Sequence, residues 1–241
     1  IYNQIEAIYS EWGGDPKIRL KDLISALTSE GRQPVTAILT LEGDPKQGSS
    51  VDNNKMLKQD ALVVVDGMAV FRQAKMIGTL TLHDVQNYLW TQNILQDASI
   101  GVPCSTGKYF GLRIYNTRTR IKAHYQGHTP QIELQIHIES FLTGTQCDYD
   151  VEKIETFKKL ESLANRSIET RILSTIQKVQ KQYGVDIFGF GEDMYRQDTE
   201  AFKKVRDHWH DEFKKAKVVV HADMKIRRTG IRTRSFLNEM K

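Results

Sequence analysis

Features that define several protein classes are missing from this sequence. Its 241 residues contain no apolar run that approaches in length the 18 residues needed by a membrane-spanning helix, so we expect no spanning helix. Prolines number only five and cysteines two, the apolar fraction is 39% and the charged fraction 27%. These values describe an ordinary soluble globular protein. The length allows one large domain, or one domain plus part of another.

Motifs for catalysis and for cofactor binding are also absent. Cys104 and Cys147 form no Cys-x-x-Cys pair and have no histidine at zinc-binding spacing. Phe188-Gly-Phe-Gly-Glu192 lacks the third glycine of a dinucleotide loop and the Lys-Ser/Thr of a P-loop. His208 and His210 resemble a metal pair, but side chains at i and i+2 of a helix point about 200° apart. We therefore predict no catalytic residue, no cofactor and no metal.

The two cysteines are expected to stay apart. The turn Gln126-Gly-His-Thr-Pro130 predicts a hairpin, and counting back from it places Tyr109 opposite Cys147. Cys104 lies five residues further, on the order of 16 Å along a strand. A disulfide needs Cα atoms within about 7 Å. Only a loop that folds back at Gly101-Val-Pro-Cys would join them, so cysteine usage says little about the redox compartment.

A long amphipathic helix is predicted from Val151 to Tyr183. Its apolar residues recur at steps of three and four, which is helical periodicity with one continuous apolar stripe. Asp148 and Asp150 are candidates for its N-cap, and Gly184 can adopt the left-handed conformation that ends a helix. At about 1.5 Å per residue the helix is roughly 50 Å long. We interpret it as a scaffold that covers a sheet.

Strict alternation of apolar and polar residues predicts strands on both sides of the Gly127 turn. The pattern indicates an antiparallel sheet with one wet face and one covered face. A second helix is predicted over Asp198–Lys215 with Trp209 in the core, followed by a last strand over Lys217–Lys225. We therefore predict an α+β fold, with an antiparallel or mixed sheet covered on one face by the long helix and a shorter C-terminal helix. Part of a second α/β domain precedes it.

The N-terminal quarter is predicted to belong to that preceding domain. Residues 1–55 are assigned as its C-terminal part plus a linker, and residues 56–241 as a C-terminal domain. The preceding part contains helices at 2–12 and 18–30, a strand at 35–41 and a polar stretch at 45–59. The second domain opens with a strand pair and a helix whose start, Thr81-Leu-His-Asp84, fits a capping box.

Charge is interleaved along the chain, with one exception near the C-terminus. The net charge is +4, and five cations fall within ten residues, namely Lys225, Arg227, Arg228, Arg232 and Arg234. Such a cluster can meet the phosphates of nucleic acid or of an anionic membrane surface. It is more often typical of a solvated edge strand that resists aggregation, followed by a frayed tail. A basic α+β module that binds through Lys225–Arg234 is therefore the alternative function.

Several stretches resemble a known family, in the right order along nearly the whole chain. Residues 181–192, the Trp209 helix and residues 218–230 resemble the closing segment of the spore germinant-receptor C-subunit family, the GerAC-like lipoproteins. Residues 66–78, 88–90 and 102–104 resemble its opening strands and helix, and Gly31-Arg-Gln-Pro-Val35 resembles the end of its preceding domain.

The resemblance implies a non-enzymatic subunit of a nutrient-germinant receptor on the outer face of the inner membrane of a bacterial spore. It implies two integral membrane subunits as partners and a lipid anchor upstream of this sequence, and nucleic acid is not expected. The chain opens Ile1-Tyr-Asn-Gln, without Met or a signal-like run, so we expect a soluble fragment of a longer protein. The resemblance supplies no catalytic residue, and the binding surface stays unassigned.

Overall fold

The computed structural model describes residues 18–49, 52, 60–95 and 97–227, which form an α+β fold with two sheets. The predicted helix at 2–12, most of the predicted linker, and Arg228, Arg232 and Arg234 lie outside these residues. The predicted fold class is confirmed.

The first sheet contains three antiparallel strands in the order β1–β2–β3. They are β1 (Val35–Gly43), β2 (Ala61–Arg72) and β3 (Lys75–Leu80), and a helix, α1 (Leu20–Thr28), precedes them. The predicted strand pair is β2 and β3. Strand β1, which the sequence assigns to the preceding part, pairs with β2 from Val35 opposite Val70 to Gly43 opposite Ala61. Both parts of the predicted division thus contribute to this sheet.

Helix α2 (Leu82–Thr91) follows β3 and begins at the predicted capping box. The Thr81 hydroxyl accepts from the Asp84 N–H at 3.3 Å, and the Asp84 carboxylate accepts from the Thr81 N–H at 3.1 Å. The same carboxylate accepts from Thr175 at 2.9 Å and from Lys178 at 2.6 Å. Burial alone would raise the pKa of Asp84, but these donors outweigh it and lower that pKa. The network attaches α2 to the long helix.

The second sheet has the order β4–β5–β6–β7 and is mixed. Its strands are β4 (Ala98–Ser105), β5 (Lys108–Gln126), β6 (Thr129–Thr145) and β7 (Lys217–Arg227). The first three are antiparallel neighbours joined by hairpins, whereas β7 runs parallel to β6. A parallel neighbour requires a long crossover. The helices between β6 and β7 supply it.

The long helix ends where predicted but begins later. Helix α3 (Ile154–Lys178) continues as a π-helical turn to Tyr183 and stops at Gly184, whose φ of +60° is left-handed. The predicted start at Val151 and the aspartate N-cap are wrong, because Lys153 is the N-cap and no side chain caps it. Asp150 accepts instead from the Glu152 N–H within the preceding turn, and Asp148 pairs with Lys108.

The predicted single helix over Asp198–Lys215 is also wrong. The chain forms α4 (Phe190–Gln197), α5 (Thr199–Val205), a 3-10 turn (Arg206–His208) and α6 (Trp209–Lys215). Val205 and His208 have φ values of −124° and −130°, which are outside the helical range. The breaks still leave Phe202 and Trp209 packed in the core, with ring centroids 5.6 Å apart.

The main core lies between the second sheet and the helices. The inward residues of β5 and β6 are almost fully buried, as are the α3 residues Leu160, Ala164, Ile168, Ile172 and Ile176. The predicted covering of one sheet face by the long helix is therefore confirmed. Alternate residues of the strands point to the other face of the sheet, which carries polar side chains.

The β7 edge of this sheet is closed by side chains of α3. Three polar residues one turn apart accept hydrogen bonds at 2.8–2.9 Å from alternate N–H groups of β7: Glu169 from Ala222, Asn165 from Met224 and Glu161 from Ile226. Four residues of helix advance about 6.0 Å and two residues of strand about 6.6 Å, so the two repeats match. Helix α3 thus protects the exposed edge from pairing with another strand.

The opposite edge is closed in the same way where β5 extends past Ala98, the first residue of β4. Three backbone N–H groups of β5 there donate to side chains at helix ends: Thr119 to Asn93 at 2.7 Å, Ala123 to Gln197 at 3.0 Å and Tyr125 to Asp198 at 3.5 Å. The amide of Gln197 also donates to the Ile121 carbonyl at 2.9 Å. This edge therefore offers few free backbone groups.

Cys104 and Cys147 form a disulfide with Cα atoms 6.2 Å apart, so the expectation that they stay apart is wrong. Tyr109 does lie beside this part of the chain, since its carbonyl accepts from the Gln146 N–H at 2.9 Å. The error was to extend the strand back from Tyr109 through Cys104. The chain instead reverses at Gly107, where φ is +72°, and β4 returns alongside β5.

Candidate functional site at the Asp186 turn

The segment that leaves the long helix, residues 184–192, is called here the Asp186 turn. Two glycines shape it: Gly184 with φ of +60° ends the helix, and Gly189 with φ of +83° is the N-cap of α4. All nine residues except Glu192 are buried. Phe188 and Phe190 pack inward, as predicted, with ring centroids 5.2 Å apart.

The Asp186 carboxylate is fully buried and accepts four hydrogen bonds, each of 2.9 Å. One oxygen accepts from the N–H groups of Phe188 and Gly189, and the other from the Gly191 N–H and the Trp209 indole. N–H groups at the start of a helix form a ready site for an anion. Here the chain fills that site with its own carboxylate, so the glycines have a structural role and hold no nucleotide phosphate.

Burial raises the pKa of Asp186 to about 6, against the opposing effect of its four donors. The segment Ser29–Gln33, which we call the junction segment, contacts this turn and contains the half-buried cation Arg32. Burial lowers the pKa of its Arg32 guanidinium, but interactions with Tyr88, Glu192 and Asp186 outweigh that effect and raise it. The two groups therefore sit in a shared, largely dry environment.

Arg32 connects the junction segment to α2. Its guanidinium donates to the Tyr88 hydroxyl at 2.7 Å and to the Gln92 amide oxygen at 2.9 Å. Gln92 in turn donates to the Phe188 carbonyl at 2.9 Å. Burial is the main cause that raises the pKa of Tyr88, so this hydroxyl stays protonated. One arginine thus links three parts of the chain.

Two glycines allow the junction segment to contact the Asp186 turn backbone to backbone. A Cβ atom on Gly31 would lie 2.6 Å from the Glu192 nitrogen, and one on Gly191 would lie 2.6 Å from the Gly31 Cα. Beside this contact the Gln33 N–H donates to the Asp186 carbonyl at 2.6 Å. Ser29 donates to the Glu192 carboxylate at 2.8 Å, although the two residues are 163 positions apart in sequence.

A groove of about 600 Å³ opens beside this contact. Arg206 and Glu30 approach to 3.6 Å across it, and Tyr195 is half exposed at its side. Its lining contains no histidine or cysteine, and Ser29 is held by Glu192 and by the Gly31 N–H. The groove has the mixed charge of a contact surface, and its lining offers no nucleophile paired with a histidine base.

The residues that the sequence singled out lie elsewhere. Lys225 pairs with Asp223 at 2.9 Å and Arg227 with Glu139 at 2.6 Å, so the described part of the basic segment is already neutralised. His208 is exposed and His210 is half-buried, on either side of the buried Trp209. Within residues 18–49, 52, 60–95 and 97–227, no group of three or more His, Cys, Asp or Glu side chains could hold a metal ion.

Sequence reasoning missed the partners of the Asp186 turn. Gly31-Arg-Gln-Pro-Val35 and residues 186–192 were both singled out by resemblance, but nothing in their spacing indicated that they touch. The available signals were the two glycines, which permit close backbone approach, and a lone aspartate between apolar residues. A buried aspartate needs several donors, and those signals did not reveal which donors these were.

These features define a disulfide-bridged α+β domain whose two sheets are connected through a buried aspartate turn. Comparison with known proteins then assigns a family. Residues 66–230 match the family described as "Spore germination B3/GerAC like, C-terminal". The chain belongs to this family of spore germination proteins.

The names of curated proteins with similar sequences agree with this family. The chain is 25% identical over 236 residues to spore germination protein KC of Bacillus subtilis (strain 168), covering 96% of this chain and 58% of that protein. It is 23% identical over 203 residues to spore germination protein YndF of the same strain, covering 82% and 50%. The chain spans about half the length of the curated relatives it matches.

A solved structure supports the fold. The crystal structure of the GerBC protein superimposes with a TM-score of 0.69 at 18% identity, over 89% of this chain and 64% of that one. At this identity the likeness concerns the fold alone. Among the described helices, none combines the length and the apolar content required to cross a membrane.

Proposed function

We propose that this chain belongs to a non-enzymatic subunit of a spore nutrient-germinant receptor, required for germination triggered by nutrients. Family membership over residues 66–230 carries the proposal, because it connects this sequence to spore germination. The partners are two integral membrane subunits. The whole protein is held by a lipid anchor at the outer face of the spore inner membrane, with residues 1–55 ending a preceding domain and residues 56–241 forming the C-terminal domain.

The disulfide supports the location outside the cytoplasm. Disulfides form and persist in oxidising compartments and are rare where thiols are kept reduced. Cys104 and Cys147 bridge the end of β4 to the segment that leads into the long helix. A chain that folds after export can form this bridge, whereas a cytoplasmic one would keep two reduced thiols, Cys147 buried and Cys104 half-buried.

The geometry of the junction supports a role in contact and not in catalysis. The polar groups around Asp186 are engaged in holding the junction segment against the turn, and the adjacent groove is lined by charged side chains of both signs. Such a surface suits recognition of another protein, because it presents fixed charges around a half-exposed tyrosine.

The test is genetic. Deletion of the gene in a strain without redundant receptors should abolish or strongly slow germination by particular nutrients, while spores still respond to direct lytic triggers. Reintroduced wild-type protein should restore the nutrient response. Normal nutrient germination in the deletion strain would refute the proposal.

A further inference from the structure

The outer face of the second sheet carries an ordered array of polar side chains. Its strand register aligns Arg118 with His137 and Asp223, and aligns Arg120 with Gln135 and His221 in the next row. Both arginines are exposed and are separated by about 7 Å along β5. Together these rows line a groove of about 480 Å³.

The acidic residues of this face are already engaged. Asp223 pairs with His137 at 3.1 Å and with Lys225 at 2.9 Å. Glu133 accepts from Gln135 at 2.7 Å and lies 3.8 Å from Lys122.

The two arginines of the groove are left without such partners. In the part of the chain that the structure describes, neither Arg118 nor Arg120 makes a salt bridge or a side-chain hydrogen bond, and His221 makes none either. Asp223 also lines the groove, but its carboxylate is paired with His137 and Lys225, so neither arginine is directly compensated and the groove carries a net positive charge next to the His221 imidazole. A net positive charge of this kind attracts an anion.

The shape of the face favours a small ligand. Helix α3 covers the opposite face, and side chains close the β7 edge and the β5 edge beyond β4, so strand addition at those edges is blocked. The groove has the size of a small-molecule site. A membrane surface is better met by a flat patch of flexible lysines than by paired arginines in a concave groove.

We propose that this groove binds a small phosphate-bearing molecule, held by the guanidinium groups of Arg118 and Arg120 with His221 as a further donor. Each guanidinium presents a planar fork of donors that matches phosphate oxygens in a bidentate way. Gln135 lies between Arg120 and His221 in the same row, and its amide oxygen can accept from a hydroxyl of the ligand. The inference goes beyond the proposed receptor role and does not depend on it.

The test is a titration of the 241-residue chain with inorganic phosphate at low salt, followed by amide chemical shifts and by calorimetry. Saturable binding is expected, with shifts centred on Arg118, Arg120 and His221. The variant R118Q/R120Q should weaken binding at least about tenfold, because it removes two charged forks. Its thermal unfolding should match the wild type, since both side chains are exposed.

The matched control is K158Q/R166Q, which removes the same charge from exposed positions of α3. Its affinity should stay within about twofold of the wild type, because it leaves the groove intact. Equal losses in both double variants, unchanged binding in R118Q/R120Q, or no saturable binding would overturn the proposal. Association with phosphatidylglycerol vesicles without saturable phosphate binding would also overturn it, in favour of a membrane-facing surface.

Discussion

Replacing Gly31 by alanine tests whether the junction segment is held against the Asp186 turn by direct backbone contact. The new Cβ would lie 2.6 Å from both the Glu192 nitrogen and the Gly191 carbonyl carbon. Carbon atoms pack at about 3.5–4.0 Å, so the two backbones must separate by on the order of 1 Å. Neither contact is the end of a flexible side chain, so rotation cannot relieve the clash.

The expected loss follows from this separation. Overpacking of a well-packed site costs about 1–3 kcal/mol. The shift also lengthens the Gln33–Asp186 and Ser29–Glu192 hydrogen bonds, now 2.6 and 2.8 Å, each worth about 0.5–1.5 kcal/mol net. Gly31→Ala should therefore lower the free energy of unfolding by about 2–4 kcal/mol.

Urea denaturation measures the loss, and amide hydrogen exchange locates it. The Gln33 N–H, which donates to the Asp186 carbonyl, should exchange faster in Gly31→Ala. The control is Gly144→Ala, since a Cβ there meets nothing within 4 Å and the backbone is not left-handed. That control should stay within about 0.5 kcal/mol of the wild type. A similarly small change in Gly31→Ala, with unaltered exchange at Gln33, would refute the contact.

Three further predictions concern the same domain. Folding raises the pKa of Asp186 from 3.8 to about 6, so its stabilising contribution is lost as pH rises through that interval. Wild-type stability should therefore fall by about 3 kcal/mol between pH 3 and pH 7, and Asp186→Asn should lack this fall. The same dependence of stability on pH in the wild type and in Asp186→Asn would contradict this prediction. Trp209→Ala should cost roughly 3–5 kcal/mol and Trp209→Phe clearly less, since the indole is buried and its N–H binds Asp186; a cost under about 1 kcal/mol for the alanine variant would mean that Trp209 is not core. Cys104→Ser with Cys147→Ser should lower stability by about 2–5 kcal/mol relative to the oxidised protein, whereas the wild type in reductant should match the variant.

Local patterns predicted the elements of this fold more reliably than the contacts between them. The apolar stripe of α3 and its end at Gly184 follow from periodicity and from glycine's tolerance of positive φ. The capping box at Thr81 likewise depends on residues three positions apart. Each of these features is decided within a few residues, so the sequence contains the whole signal.

The errors arose where distant residues decide the local structure. Asp150 was a suitable N-cap by type, but its carboxylate binds within the preceding turn. The cysteine spacing was converted to a distance along one straight strand, although a turn at Gly107 reverses the chain. The acceptor role of Asp186 needs Trp209 and three backbone N–H groups at once, and no spacing rule brings these together.

The Asp186 turn and the outer sheet face differ in whether their anion-binding groups are already occupied. At the Asp186 turn the N–H groups that could hold an external anion are filled by a buried carboxylate, which locks the turn to Trp209. On the outer sheet face the reverse holds, because acids there are engaged with other cations and Arg118 and Arg120 remain unpaired within the described residues. Because α3 blocks strand addition at β7, the outer face is a part of the second sheet that stays open to a partner, and bound phosphate would change the charge that this partner encounters.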